Sequence, residues 1–214
     1  LGAFPEKLSN KAEVSLRKLG VDVRTGAMVE DVTGDHVVVA GETIPAATVI
    51  WGAGVKVDNL EAWLGRETDR VGRVSVAPDL TVPGLPNVSV IGDAAKVPWK
   101  DGLDVPGIAP AAKQEGKYTG RRLAALVAGK AAPRPFRYRH LGNLATIGRN
   151  SAIISLGWFK LSGFVAWCIW GAVHIYFLIG VKRPLFVAMS WVANYLFRSK
   201  GARLITGMEG LRAN

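Results

Sequence analysis

Three stretches of the sequence combine small residues, a carboxylate and a helix start in ways suited to holding a ligand against backbone. The first is Val49-Ile50-Trp51-Gly52-Ala53-Gly54, a hydrophobic run ending in small residues, which let a chain approach a ligand or another segment closely. The second begins at Thr81 and continues, after six intervening residues, as Val88-Ser89-Val90-Ile91-Gly92-Asp93. A buried strand of this type carries the chain to a carboxyl edge, where open α/β folds bind ligands, and a carboxylate there can accept hydrogen bonds from hydroxyl groups. The third is Gly107-Ile108-Ala109-Pro110-Ala111-Ala112-Lys113-Gln114-Glu115-Gly116. Proline suits a helix's first turn, and the free N–H groups of that turn favour electron-rich ligand atoms. Gln114, one turn on, is expected to share the face of Pro110 and Ala111. Taken singly, each stretch has a plainer reading: a tight turn leaving a strand, an ordinary Gly-Asp turn, a surface helix with its Gln in solvent.

The elements that must position these groups can be read from periodicity. Leu8, Ala12, Leu16 and Leu19 fall on one face of a helix over residues 5–19, with Gly20 following as its cap. Val21–Val23 reads as a short strand. Met28–Asp31, His36–Ala40 and Glu42–Pro45 alternate between turns at Gly34-Asp35 and Gly41, which predicts an antiparallel meander. Ala47–Trp51 and Val88–Ile91 read as buried strands. Ala111–Ala128 has helical composition and follows a Pro- and Gly-rich loop; Ala131–Pro135 reads as a linker. Phe136–Tyr138 and Ala145–Ile147, around Gly142-Asn143, read as a hairpin.

Taken together, in this order and spacing, the three stretches resemble the flavoprotein disulfide reductase-like superfamily, and more closely the type II, non-proton-pumping NADH:quinone oxidoreductases. Trp51-Gly52-Ala53-Gly54 resembles that family's crossover from the NADH domain to the FAD domain. Gly92-Asp93 resembles its second FAD motif, in which the Asp binds the ribityl chain. Ala109–Gln114 resembles the quinone motif Ala-Gln-x-Ala-x-Gln, with Pro110 in place of the first Gln and Gln114 as the last. Tyr138–Arg149 resembles the segment that returns to the flavin, although Leu141 stands where some members carry Lys. His174–Gly180 and Arg203–Gly207 also match, so the likeness covers essentially the whole chain.

The resemblance implies an α/β fold: partial FAD/NAD(P)-binding Rossmann-like domains of three layers plus a carboxy-terminal amphipathic helical membrane anchor. It divides the chain into residues 1–50 (tail of an NADH-binding domain), 51–150 (second half of an FAD-binding domain with the quinone motif) and 151–214 (membrane-anchoring and dimerisation helices). It implies FAD as cofactor, NADH as substrate, a quinone as acceptor, a homodimer, and a peripheral position on the cytoplasmic face of a cell inner membrane. Gly92, Asp93, Ala109, Pro110 and Ala111 would then lie against the cofactor, Trp51–Gly54 near NADH, and Gln114 near the quinone. No side chain is expected to be catalytic, because the flavin carries the chemistry. No G-x-G-x-x-G fingerprint follows a strand. The chain also opens at Leu1 without Met, so the NADH-accepting part is expected upstream and the chain is not expected to act alone.

Composition adds the membrane. The net charge is +10, and residues 1–130 hold 16 basic and 16 acidic residues, so the whole excess lies in residues 131–214, with 11 basic residues against Glu209. Four of the seven Trp residues share that segment. Basic charge mixed with aromatic residues beside apolar runs points to an anionic lipid surface and away from nucleic acid, whose groove needs charge along its length. Residues 161–181 carry no charge and are long enough as a helix to cross a bilayer core, about 30 Å. His174, the interrupting glycines and basic clusters at both ends favour an interfacial arrangement instead. Trp158, Trp167, Trp170 and Trp191 would then enter the leaflet, while Lys182, Arg183, Arg198, Lys200 and Arg203 meet headgroups. The single cysteine, Cys168, excludes an intramolecular disulfide and argues against a sulfide:quinone type of reductase, which needs paired cysteines. His174 reads as a packed or hydrogen-bonded helix residue, and no metal is expected. A non-enzymatic membrane-associated protein is the reading from another class.

Overall fold

In the computed structural model, residues 1–52, 54–177 and 182–197 are described. In chain order the elements are α1 (Glu6–Lys18), β1 (Val29–Val32), β2 (His36–Val39), β3 (Glu42–Pro45), α2 (Leu60–Leu64), β4 (Val74–Ser75), β5 (Thr81–Val82), β6 (Leu85–Ser89), a 3-10 turn (Gly92–Ala94), β7 (Ala95–Lys96), α3 (Ala109–Val127), β8 (Asn143–Thr146), β9 (Ala152–Leu156), β10 (Phe159–Gly163), α4 (Phe164–Tyr176) and α5 (Lys182–Phe197). They fall into two compact units. One comprises Leu1–Val23 with the segment from Gly142 on, and the other Arg24–Leu141.

The Arg24–Leu141 unit begins with the anticipated meander, β1-β2-β3, antiparallel throughout. Val39 pairs with Glu42 across a two-residue loop in which Ala40 and Gly41 both take positive φ (49° and 78°). That conformation matches the twist of a hairpin. β4 and β7 pair in parallel and β5 with β6 antiparallel, so the described sheets of this unit have two or three strands. Leu80 and Val82 are fully buried with Val74, Val76, Val90, Val97, Val105 and Ala111 in one core, against which Phe136 and Tyr138 pack. Arg122 on α3 ties this core's edge to Asp79 (3.1 Å), whose carboxylate also accepts bonds from the Thr81 hydroxyl (2.6 Å) and N–H (3.1 Å).

In the other unit, β8-β9-β10 form an antiparallel sheet with β9 central. Strand alternation sorts β9: Ile153 packs with Leu8, Ala12 and Ile147, whereas Ala152 and Ile154 pack with Ala166 of α4. The apolar face expected of α1 is thus used against β9. This packing joins the first residues of the chain to the segment after Gly142.

Three expected strands take other forms. Val21–Val23 is not a strand, because its backbone groups close α1: Gly20 N–H bonds Arg17 O (3.0 Å), Val21 N–H bonds Leu16 O (3.1 Å), and the Arg17 guanidinium donates to Val23 O (3.0 Å). Ala47–Trp51 is irregular, with Ile50 91% and Trp51 67% exposed. A strand needs a neighbour to take its backbone groups, and among the described residues none flanks this run. Phe136–Tyr138 forms no hairpin with Ala145–Ile147. Phe136 N–H bonds Pro78 O (2.8 Å), and β8 pairs with β9 instead.

The uncharged run 161–181, long enough to cross a bilayer core if it were one helix, is not one helix from its start. Its first three residues finish β10, paired with β9, and α4 starts at Phe164 after Gly163 at φ 91°. α4 has 13 residues, about 20 Å, and among the described residues no helix is long and apolar enough to cross a membrane. Helices were expected from residue 151 on, but Ala152–Leu156 and Phe159–Gly163 are strands.

Candidate functional site

In the Arg24–Leu141 unit, Gly54, Gly92, Asp93 and Ala111 line one cleft of about 230 Å³, together with Arg73, Gly107 and Glu115. β6 and the residues after it deliver Gly92 and Asp93 to a single 3-10 turn, and the loop from Val97 returns the chain to the start of α3. The chain turns at Gly92 with φ 67°, and a Cβ there would touch Ala112 Cβ at 3.5 Å. A Cβ on Gly107 would lie 3.2 Å from Asp93 Oδ1. Small residues therefore keep open the approach to an exposed carboxylate beside the first turn of a helix.

Beneath that turn lies a buried acid. Gly92 N–H donates to Glu115 Oε2 at 2.6 Å, and Glu115 is 2% exposed. Its burial pushes the carboxyl above the ordinary carboxylate value; the Gly92 hydrogen bond pulls the other way, and the nearby Asp93 charge adds to the rise. Arg73, also in the lining, is held by Asp69 (2.8 Å) and Asp104 (3.1 Å). Neither Glu115 nor Arg73 was singled out from sequence. For Glu115 a signal was present: it lies four residues after buried Ala111, on the same helix face, where an acid must find a partner.

Ala109 and Pro110 open α3 as expected but do not line the cleft, whereas Gly107, Ile108, Ala111, Ala112 and Glu115 of that stretch do. Gln114 lies outside the cleft lining. Its amide is engaged with the chain at Arg139: Nε2 donates to Arg139 O (3.0 Å) and to Pro110 O (3.2 Å), while Oε1 accepts Arg139 N–H (3.0 Å). The segment so pinned carries an aromatic group. Tyr138 meets Trp99 edge to face at 5.2 Å, His140 lies 5.8 Å from Trp99, and the Tyr138 hydroxyl is 3.1 Å from His140 Nδ1. Burial pushes the Tyr138 phenol up, and the Glu115 charge adds to the rise.

Of the first stretch, Gly54 reaches the cleft, Trp51 and Gly52 are exposed, and Ala53 lies outside the described residues. Among the expected membrane residues, Trp158 is 92% exposed. Trp170 stacks on Trp191 (5.6 Å, 5° between planes), and Trp167 lies 5.5 Å from Tyr195 and 5.8 Å from Phe164, so these rings tie α4 to α5. His174 Nδ1 lies 2.8 Å from Trp170 O, a hydrogen-bonded helix residue as read from sequence. Lys182 and Arg183 open α5; Arg198, Lys200 and Arg203 lie outside the described residues. No group of three or more His, Cys, Asp or Glu suited to a metal ion is found among the described residues.

Residues 1–116 match the family described as pyridine nucleotide-disulphide oxidoreductase, and residues 140–199 match the NDH2 C-terminal domain. The chain is 39% identical over 214 residues to a type II NADH:quinone oxidoreductase of Mycobacterium tuberculosis, covering 95% of this chain and 45% of that protein. It is 28% identical to an internal alternative NAD(P)H-ubiquinone oxidoreductase of Arabidopsis thaliana, covering 92% of this chain and 42% of that one. The chain thus spans about half the length of the curated relatives it matches. A solved structure of NDH2 from Plasmodium falciparum in complex with NADH superposes with a TM-score of 0.81 at 16% identity, over 92% of this chain and 56% of that one. That likeness shows the α/β fold.

Proposed function

The chain belongs to the pyridine nucleotide-disulphide oxidoreductase family, in its type II NADH dehydrogenase branch, and from that premise we propose that it supplies the flavin and quinone side of an NADH:quinone oxidoreductase that pumps no protons. The single observation that carries this reading is the cleft in which Gly54, the Gly92-Asp93 turn and the start of α3 converge. Its features fit FAD: an exposed carboxylate to accept hydroxyl hydrogen bonds, glycines where a side chain would block the approach, and a helix start for electron-rich ring atoms. When bound, FAD would supply the hydride and electron chemistry between NADH and the quinone.

The chain's own residues hold and shape that site. Asp93 would take the ribityl chain, with Gly92 and the α3 start formed by Ala109, Pro110 and Ala111 against the rest of the cofactor. Glu115 fixes the turn that presents Asp93. Trp51–Gly54 would border NADH. Gln114 would act on the quinone side by holding the Arg139–His140 chain, and with it the Tyr138 phenol, in place beside Trp99. The anchor would be interfacial: exposed Trp158, Phe164 and Phe186, with the basic residues from Lys182 on, would meet an anionic inner-membrane surface on the cytoplasmic side, and the protein would work as a homodimer.

The test is an absorption spectrum of the full-length protein purified from membranes. A flavin spectrum bleached by NADH and restored by a quinone is expected. A protein without flavin, or a flavin that NADH does not bleach, overturns the reading.

A further inference from the structure

In the unit built from α1 and β8–α4, a second cleft of about 350 Å³ is lined from α1 by Asn10, Lys11, Ser15 and Lys18, and beyond it by Ser151, just before β9, and Ser162 of β10. Lys11, Ser15 and Lys18 stand at i, i+4 and i+7, one stripe of the helix beside the apolar face that packs on β9. No described residue lining the cleft is acidic. Lys11 Nζ donates to Ser162 Oγ at 2.9 Å, which fixes the ammonium at the cleft wall and leaves two of its three donors for a ligand. Ser15 donates its hydroxyl to Lys11 O at 2.9 Å, so the stripe is held by a bond of its own. Val14 and Ile153 add apolar wall, and Gly163, also in the lining, opens α4, a helix start that no side chain caps. The Ser151 and Ser162 hydroxyls, two lysines and an uncapped helix start are donors for a phosphate.

The residues that follow distinguish the source of the phosphate. Phe164 and Val165, next in the chain after Gly163, are 54% and 60% exposed, and Trp158 is exposed at the β9–β10 turn. An apolar surface continuous with a basic cleft suits a ligand that has both a phosphate and acyl chains. We propose that this cleft binds the headgroup of an anionic phospholipid, with Lys11 and Lys18 as its charged contacts. The inference rests on the membrane attachment proposed above and gives it a defined site outside the basic tail.

The test measures binding of the full-length protein to vesicles of phosphatidylcholine alone and with phosphatidylglycerol, for the wild type, K11Q/K18Q, the charge-matched control K7Q/K130Q, and the charge-retaining K11R/K18R. The cleft predicts that K11Q/K18Q weakens binding to phosphatidylglycerol vesicles by about thirtyfold while the control changes it less than about threefold and K11R/K18R binds as the wild type. If K11Q/K18Q loses no more than the control, the cleft is not a lipid site although attachment stands. If the wild type binds neither vesicle, attachment itself fails and the inference falls with it. Millimolar inorganic phosphate that removes the Lys11- and Lys18-dependent part of binding as fully as soluble glycerophosphoglycerol does would make the cleft a free-phosphate site and overturn the lipid assignment.

Discussion

The Glu115 carboxylate accepts a 2.6 Å hydrogen bond from the backbone N–H of Gly92, so a buried acid on α3 holds the turn that presents Asp93. A carboxyl raised on folding binds its proton more tightly in the folded than in the unfolded chain. Stability therefore falls as pH rises from the ordinary value of 4.5 to the raised value of Glu115. Glu115→Gln retains an oxygen for Gly92 and removes the ionisation, so it is expected to flatten this part of the stability–pH curve. Glu115→Ala leaves a buried N–H unpaired and should cost about 1–3 kcal/mol at all pH values. Denaturant melts between pH 4 and 8 check both, and an unchanged pH dependence in Glu115→Gln would refute the assignment.

Asp93→Ala removes the exposed carboxylate of the cofactor cleft. The loss of hydrogen bonds to a charged acceptor, about 1.5–3 kcal/mol, corresponds to FAD binding weakened by about ten- to a hundredfold. Flavin content per protein after dialysis is the measurement; full retention would remove Asp93 from the flavin site.

Gln114→Ala deletes both hydrogen bonds to the Arg139 backbone. The expected outcome is a raised apparent quinone KM or lower quinone turnover, with NADH-driven flavin reduction intact. Gln114→Glu, which can accept from Arg139 N–H but cannot donate to its carbonyl, should fall between the two. If stopped-flow and steady-state kinetics match the wild type, Gln114 has only a packing role.

Gly72→Ala combines two penalties. The residue sits at φ 84°, and a Cβ there would run into the Val57 carbonyl oxygen. Because Val57 N–H bonds Val71 O (2.9 Å), relief would break that contact, so destabilisation of at least about 2 kcal/mol is expected. A thermal midpoint within a degree of the wild type would contradict the geometry.

Local signals carried far in this sequence. The α1 and α3 helices, the β1–β3 meander and the Gly92-Asp93 turn were legible because periodicity and turn residues lie within a few positions of one another. Val21–Val23 misled because the cap of α1 claims its backbone groups, and Ala47–Trp51 because apolar residues form a buried strand only beside a neighbour. β9 and β10 were hidden in a segment whose hydrophobicity pointed to a membrane helix. The convergence of Gly54, Asp93 and Ala111 was legible only through the family resemblance, since no spacing in one sequence reports a meeting in space. Glu115 was readable by helical periodicity yet overshadowed by its neighbour Gln114, whose amide faces Arg139 and lies outside the cleft lining.

The packing of Leu8 and Ala12 against Ile153 has a consequence for how the polypeptide matures. About 145 residues separate Leu8 from its partner on β9, and at synthesis rates of about 5–20 residues per second α1 waits roughly 7–30 seconds for β9 to be made. The intervening Arg24–Leu141 unit is contiguous and has its own core, so it can fold on the ribosome in that interval. During the wait the apolar stripe of α1 lacks the cover that β9 gives it, so this unit can close only after Ile153 has been made.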